Sequence, residues 1–245
     1  MKQPHLLCET KDIAPYILLP GDPGRALRVA EHLQEWREIA FNREFRTITG
    51  LYQGIPVTVT STGIGGASAA IAVEELIACG AETLIRIGSA GAIQPEIAVG
   101  DMIIVQGAVR EDGTSRMYAP EGYPAVPDPL LTVWMEQICQ AEGYPFHSGL
   151  IRSHDSFYID EETLIMDSWN RKGVLGSDME TAALFVTARL RGAKAASILN
   201  NVVLYQAGIK EGISDYVNDA DAAAEGEKRE IYVALETIKR MAESL

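Results

Sequence analysis

The chain is 245 residues long, 47% hydrophobic and 22% charged, the balance of a globular protein rather than a disordered or fibrous one. It carries 34 acidic against 21 basic residues, a net charge of -13, which repels a nucleic-acid backbone over the ~8 Å screening length at physiological salt and makes a polymeric nucleic-acid partner unexpected. No run reaches the ~18 apolar residues of a membrane span, and Met1-Lys2-Gln3-Pro4-His5 opens no charged-then-apolar leader, so no membrane partner and a cytoplasmic location are expected.

Tyr16-Ile17-Leu18-Leu19-Pro20 is a short apolar run, predicted as a strand, that ends in Gly21-Asp22-Pro23-Gly24-Arg25 and leads into a helix through Ala26, Val29, Ala30 and Leu33. Residues 45–51 and 55–61, with β-branched residues alternating in the second, flank Tyr52-Gln53-Gly54 and predict a hairpin. Small and apolar residues recur at helical spacing over 67–79, and Gly80 supplies the stop. Thr83-Leu84-Ile85-Arg86-Ile87-Gly88 predicts a buried strand with a charge inside it. Strands near 102–109, 149–153 and 193–203 then alternate with helices near 130–141 and 179–190. An amphipathic helix over 220–245 carries Ile231, Ala234, Leu235, Ile238, Met241, Ala242 and Leu245 on one stripe. This alternation implies an α/β fold, a three-layer sandwich with a central mixed β-sheet flanked by helices, and no linker divides residues 1–245 into more than one domain.

Several groups carry potential chemistry. Gly21-Asp22-Pro23-Gly24-Arg25 lies between strand and helix, where helix N–H groups and a guanidinium can hold an anion, although an Asp-Pro-Gly turn reads equally well as a plain turn. Arg86 is more telling, because a guanidinium inside an apolar strand is costly to bury without a counter-anion, be it a ligand or a structural carboxylate. Ser89 follows it among small residues at the strand's C-terminal end, where α/β folds place ligands. Arg43, taken alone, reads as a surface arginine. Gly63-Ile64-Gly65-Gly66-Ala67-Ser68 lacks the third glycine of a dinucleotide loop. Ser177 or Asp178 suits the cap of the next helix, with Glu180 complementing its dipole or accepting hydrogen bonds from sugar hydroxyls above Met179. Cys8, Cys79 and Cys139 form no Cys-x-x-Cys pair, and the four histidines have no ligand spacing, so neither disulfides nor a structural metal are expected.

Taken in order, Gly21-Asp22-Pro23-Gly24-Arg25, Arg43-Glu44-Phe45, Ser61-Thr62-Gly63-Ile64-Gly65-Gly66, Arg86-Ile87-Gly88-Ser89-Ala90-Gly91-Ala92, Ser156-Phe157-Tyr158 and Asp178-Met179-Glu180 resemble the motifs of the nucleoside phosphorylase-I family. The uridine phosphorylase branch is the most similar, through Ala92-Ile93-Gln94-Pro95 and the stretch 109–120. The resemblance implies phosphorolysis of a nucleoside to free base and (deoxy)ribose 1-phosphate, with phosphate as co-substrate and Arg86, Glu180 and Arg25 as the catalytic residues. It places phosphate on Gly21, Arg25, Arg86 and Ser89, joined by Arg43 of the partner subunit. It places the nucleoside on Asp178, Met179 and Glu180, with Phe157 against the base and His5 of the partner subunit near the 5′-hydroxyl. It further implies a homo-oligomer, a hexamer built as a trimer of dimers. No organic cofactor is implied, but a monovalent cation such as potassium is, at positions matching Glu44, Ile64 and Ser68.

Two departures concern the base. The Gln-x-Arg pair that reads uracil in typical relatives is replaced by Ile159-Asp160-Glu161-Glu162-Thr163, and the Asp that protonates a leaving purine is absent from Val202-Val203-Leu204. Base recognition is therefore expected from Glu161, Glu162 or the Asn200-Asn201 pair. The reading is a uridine phosphorylase-like enzyme, with a purine nucleoside phosphorylase, a nucleosidase using water, and a silent nucleoside-binding protein as rivals.

Overall fold

The computed structural model describes residues 2–205 and 220–244. The described strands are β1 (Tyr16–Pro20), β2 (Gln34–Asn42), β3 (Phe45–Tyr52), β4 (Ile55–Thr60), β5 (Thr83–Ala92), β6 (Met102–Glu111), β7 (Phe146–His154), β8 (Gly176–Asp178) and β9 (Lys194–Val203). The helices are α1 (Pro23–Ala30), α2 (Gly66–Ala78), α3 (Gly113–Tyr118), α4 (Pro129–Glu142), α5 (Glu162–Asn170), α6 (Thr181–Leu190) and α7 (Ala220–Glu243).

The strands form one mixed sheet in the order β2-β3-β4-β1-β5-β8-β7-β6-β9. Strand β9 also pairs in parallel with β5, so the second half of the sheet closes on itself while β2, β3, β4 and β1 remain an open wing. Strand β5 is the shared member, parallel to β1 on one side and to β9 on the other.

Alternation along the strands sorts the core into two layers. Ile17, Leu19 and Leu84 pack with residues of α2 and α6 on one face. Leu18, Ile85 and Ile87 pack with residues of α1, α4 and α7 on the other. The expected three-layer arrangement is therefore present, with partial closure of the sheet as an addition. The period also assigns Arg86 to the α2/α6 face, since it alternates with Ile85 and Ile87. Cys8, Cys79 and Cys139 are buried free thiols.

Several elements depart from the sequence reading, the short helices α3 and α5 among them. Strand β2 is an edge strand with a largely exposed, charge-rich sequence, so no apolar alternation marks it. Ser177 and Asp178 lie in the short strand β8, and α6 begins at Thr181, two residues after the expected start near 179. Asp178 still caps that helix from outside, accepting the Thr181 N–H at 3.0 Å. Of the stripe on α7, Ile231, Ala234, Leu235, Ile238 and Met241 are buried as expected, while Leu245 lies outside the described residues.

Candidate active site

A cavity of about 820 Å³ opens at the C-terminal ends of β1, β5 and β9, bounded by Gly21, Arg25, Arg86, Ser89, Glu180 and Val203 among others. Strand ends in parallel sheets expose backbone donors and loops there, which is why α/β proteins bind ligands at this edge.

The first wall comes from both faces of the sheet. Asp22 accepts the N–H groups of Gly24 at 2.8 Å and Arg25 at 2.9 Å and, with Pro23 in the first turn, starts α1 at the end of β1. The turn is thus a helix cap, and its product is a buried Arg25 on the first turn. Arg25 donates through Nη2 to Ser89 Oγ at 3.1 Å and through Nε to Glu227 at 2.8 Å, while Nη1 lies 3.5 Å from Glu230. Arg86 arrives from the opposite face. Its Nε donates to Asp178 at 2.9 Å and its Nη2 to Glu180 at 2.6 Å, but its buried Nη1 has no hydrogen-bond partner. Gly88 makes room for this, because a Cβ there would fall 2.5 Å from Arg86 Nη2. Burial opposes the charge on Arg86, yet Glu180 and Asp178 more than offset it and hold the guanidinium protonated.

Glu180 forms the second wall beside half-buried Met179. Its carboxylate takes the Gly65 N–H at 2.6 Å as well as Arg86, which ties the glycine-rich loop before α2 to the same centre. Burial raises its pKa, Arg86 pulls it back and Asp178 adds to the rise. Asp178 is itself saturated by Arg86, Ser153, the Thr181 hydroxyl and the Thr181 N–H.

The far end is more apolar, with Phe157, Met166, Val202, Val203 and Leu204 around His154 and Glu162. Glu162 Oε1 takes Arg152 Nη1 at 2.8 Å, and Arg152 Nε is held by Glu111 at 2.5 Å. The other Glu162 oxygen is buried without a partner. Burial, then Arg152, lower the His154 pKa and favour its neutral form. Its Nδ1 lies 2.9 Å from Ser156 O, and since a carbonyl only accepts, Nδ1 carries the proton and Nε2 is an acceptor.

A family model described as the phosphorylase superfamily matches residues 15–239. The chain belongs to the phosphorylase superfamily. Among curated relatives, a uridine phosphorylase of Thermococcus kodakarensis is 40% identical, covering 98% of this chain and 87% of its own length. A guanosine phosphorylase of Halorubrum lacusprofundi is 38% identical, covering 97% of this chain and 98% of its own. The crystal structure of a uridine phosphorylase from Vibrio fischeri superposes with a TM-score of 0.92 at 45% identity, covering 98% of both chains. The superfamily expected from the ordered motifs is the one these comparisons return, as is the fold.

Of the residues singled out by sequence in this phosphorylase-superfamily chain, Gly21, Arg25, Arg86, Ser89, Phe157, Asp178, Met179 and Glu180 all line the cavity. Arg43 does not. It stands exposed in the turn between β2 and β3, with φ +57°. His5 also lies outside the lining, its Nδ1 2.6 Å from Glu75 on α2. Glu44 and Ser68 meet at 2.6 Å, with Ile64 80% exposed at the cavity mouth. Two base-end expectations need correction. Glu161 is exposed and outside the lining, because it precedes the first turn of α5, and Glu162 is the carboxylate that faces inward. Asn200 and Asn201 are buried tethers, donating to Ala223 O at 2.8 Å and Ala98 O at 3.0 Å, and neither lines the cavity.

Glu227, Glu230, Arg152 and His154 are additions that sequence reasoning missed. The glutamates had a signal: they extend the buried stripe of α7 backward from Ile231 and Ala234 at spacings of three and four, so acidic side chains occupy an inward face.

Proposed function

We propose that the protein is a nucleoside phosphorylase that cleaves the N-glycosidic bond of a uridine-like nucleoside with inorganic phosphate, giving free base and pentose 1-phosphate. The observation that carries this reading is Arg86 Nη1, a buried charged donor at the cavity with two sister nitrogens already paired and none of its own bonds made. An oxyanion satisfies it, and Arg25, Ser89 and Gly21 line the same cavity. Catalysis then rests on placement and electrostatics: phosphate fixed by the arginines beneath C1′ meets the developing oxocarbenium charge, while Glu180 orients the sugar hydroxyls. Met179 supplies an apolar floor and Phe157 a face for the base.

The unpartnered Glu162 oxygen suits a ring N–H, which uracil and 6-oxopurines both present, so a guanosine-type nucleoside is the second reading. Exposed Arg43 and surface-side His5 fit a role across a dimer interface, in a trimer of dimers. Glu44 and Ser68, with the Ile64 segment, form an oxygen-rich pair suited to a monovalent cation; the Ser68 hydroxyl holds the Glu44 carboxyl below its usual range and so ionised. Among the described residues no helix is long and apolar enough to cross a membrane.

The test is incubation with a panel of pyrimidine and purine nucleosides, with and without phosphate, followed by mass spectrometry of the products. Release of base together with a pentose phosphate, only when phosphate is present, is expected. Base release without phosphate makes the protein a nucleosidase, and binding without turnover makes it a silent receptor.

A further inference from the structure

Glu230 is a buried carboxyl at the phosphate wall with no part in the reaction just described. It has no exposed surface. One oxygen accepts the Gly88 N–H and the other faces Arg25 Nη1 at 3.5 Å. Both donors belong to the crescent of Arg25, Gly88, Ser89 and Arg86. Glycine at 226 brings the carboxyl this close, since a Cβ there would lie 2.1 Å from Asn200 Oδ1 and 2.8 Å from the Gly100 Cα, so α7 seats directly on that loop and β9.

Resting on the assignment of that crescent to phosphate, we propose that Glu230 is a positioning residue that holds Arg25 in place and takes up one proton when phosphate draws the guanidinium towards itself, so that phosphate binding and proton uptake are one linked event. The proton comes from solvent and goes to the carboxylate oxygen that faced Arg25; no bond of the substrate changes in this step.

Charge balance supports the linkage. Arg25, Arg28 and Arg86 face Asp22, Asp178, Glu180, Glu227 and Glu230, so the wall holds more carboxylates than guanidiniums before a dianion arrives. A wholly buried carboxylate that gains a dianionic neighbour and yields its cation is relieved most cheaply by protonation. The two glutamates of α7 divide the work. Burial works against the charge on Glu227, but Arg28 and Arg25 overcome it and keep its carboxyl below the usual range, so it remains an anion. Burial pushes Glu230 up to about 8, with Arg25 opposing, Glu227 adding and Arg86 opposing. Arg25 faces it from α1, Arg86 from β5 and Glu227 from its own helix, whereas β9 presents Ala196, Ile198 and the neutral amide of Asn200 to α7.

Calorimetric titration of the whole protein with inorganic phosphate, in buffers of different ionisation heat, counts the protons. Close to one proton taken up per phosphate is expected at about pH 8.5; at about pH 6.5 Glu230 is protonated beforehand, its uptake vanishes, and only the proton shed by largely monoanionic free phosphate as it binds as the dianion is released, equally in wild type and Glu230→Gln. Phosphate affinity is expected to weaken roughly fivefold between about pH 8 and pH 9, a range in which free phosphate stays dianionic. Glu230→Gln should abolish the uptake, flatten the pH dependence and bind phosphate more tightly than wild type at the alkaline end. Glu227→Gln, which removes a like charge beside Glu230, should keep the uptake but move its onset to lower pH. Absence of proton uptake in wild type, uptake that survives in Glu230→Gln, or an onset unmoved in Glu227→Gln overturns the proposal. The phosphate assignment fails in a different way: phosphate does not bind wild type, or binds equally well to Arg86→Ala and Ser89→Ala, and this inference falls with it.

Discussion

Arg86 on β5 and Arg152 on β7 are both buried beside the cavity, and each is paired with two carboxylates: Asp178 and Glu180 for the first, Glu111 and Glu162 for the second. What differs is the atom left over. At Arg86 it is a donor, Nη1; at the Arg152 pair it is an acceptor, the free oxygen of Glu162. Net charge hardly distinguishes the two ends, so the sign of the leftover hydrogen-bonding group does. A ligand with anionic oxygens at one end and a ring N–H at the other satisfies both, which is the polarity of phosphate beside a nucleobase.

Substitutions at the two ends should therefore separate into turnover and affinity effects. Arg86→Ala should cost on the order of 10²–10³-fold in kcat with far less effect on nucleoside binding, as steady-state kinetics will show; near-normal phosphorolysis would sink the phosphate assignment. Glu180→Gln should lower kcat/KM for ribosides by roughly 10- to 100-fold, read against the 2′-deoxy analogues, and an unchanged ratio would mean the sugar sits elsewhere. At the opposite end, Glu162→Gln should raise the nucleoside KM about tenfold while kcat holds and the preference among bases changes. A loss in kcat equal to that of Arg86→Ala would erase the distinction between the ends. Smallest of all, Phe157→Leu should raise KM about threefold, because Phe157 is half exposed and already stacks edge-on against Tyr158.

The Arg86 end of the cavity was legible in the sequence for a physical reason: Leu84-Ile85-Arg86-Ile87 puts a guanidinium where the strand period demands burial, and counter-anions resolve that conflict, here the carboxylates of Asp178 and Glu180. Its partners were named for other reasons, since Asp178 and Glu180 lie 92 and 94 residues away and meet Arg86 only through the pairing of β5 with β8. The Arg152 end was less legible. Glu161 and Glu162 are adjacent and chemically identical, and the start of α5 decides which turns inward. Asn200 and Asn201 looked like base readers because amides at a strand's end suit that task, yet both are used to anchor neighbouring backbone. Strand β2 and the short strand β8 escaped because an exposed edge and a three-residue segment carry too little apolar alternation.

The contact between Arg25 and Glu227 spans 202 residues of chain. Closing so large a loop is entropically unfavourable until the intervening sheet exists, so this pair is expected among the later events of folding. A partly folded chain with α1 and β5 in place would hold both Arg25 and Arg86 while lacking the helix that fixes Arg25. Anion affinity thus becomes a reporter of the final docking of α7, and a refolding experiment that follows it should lag behind the signals of the sheet.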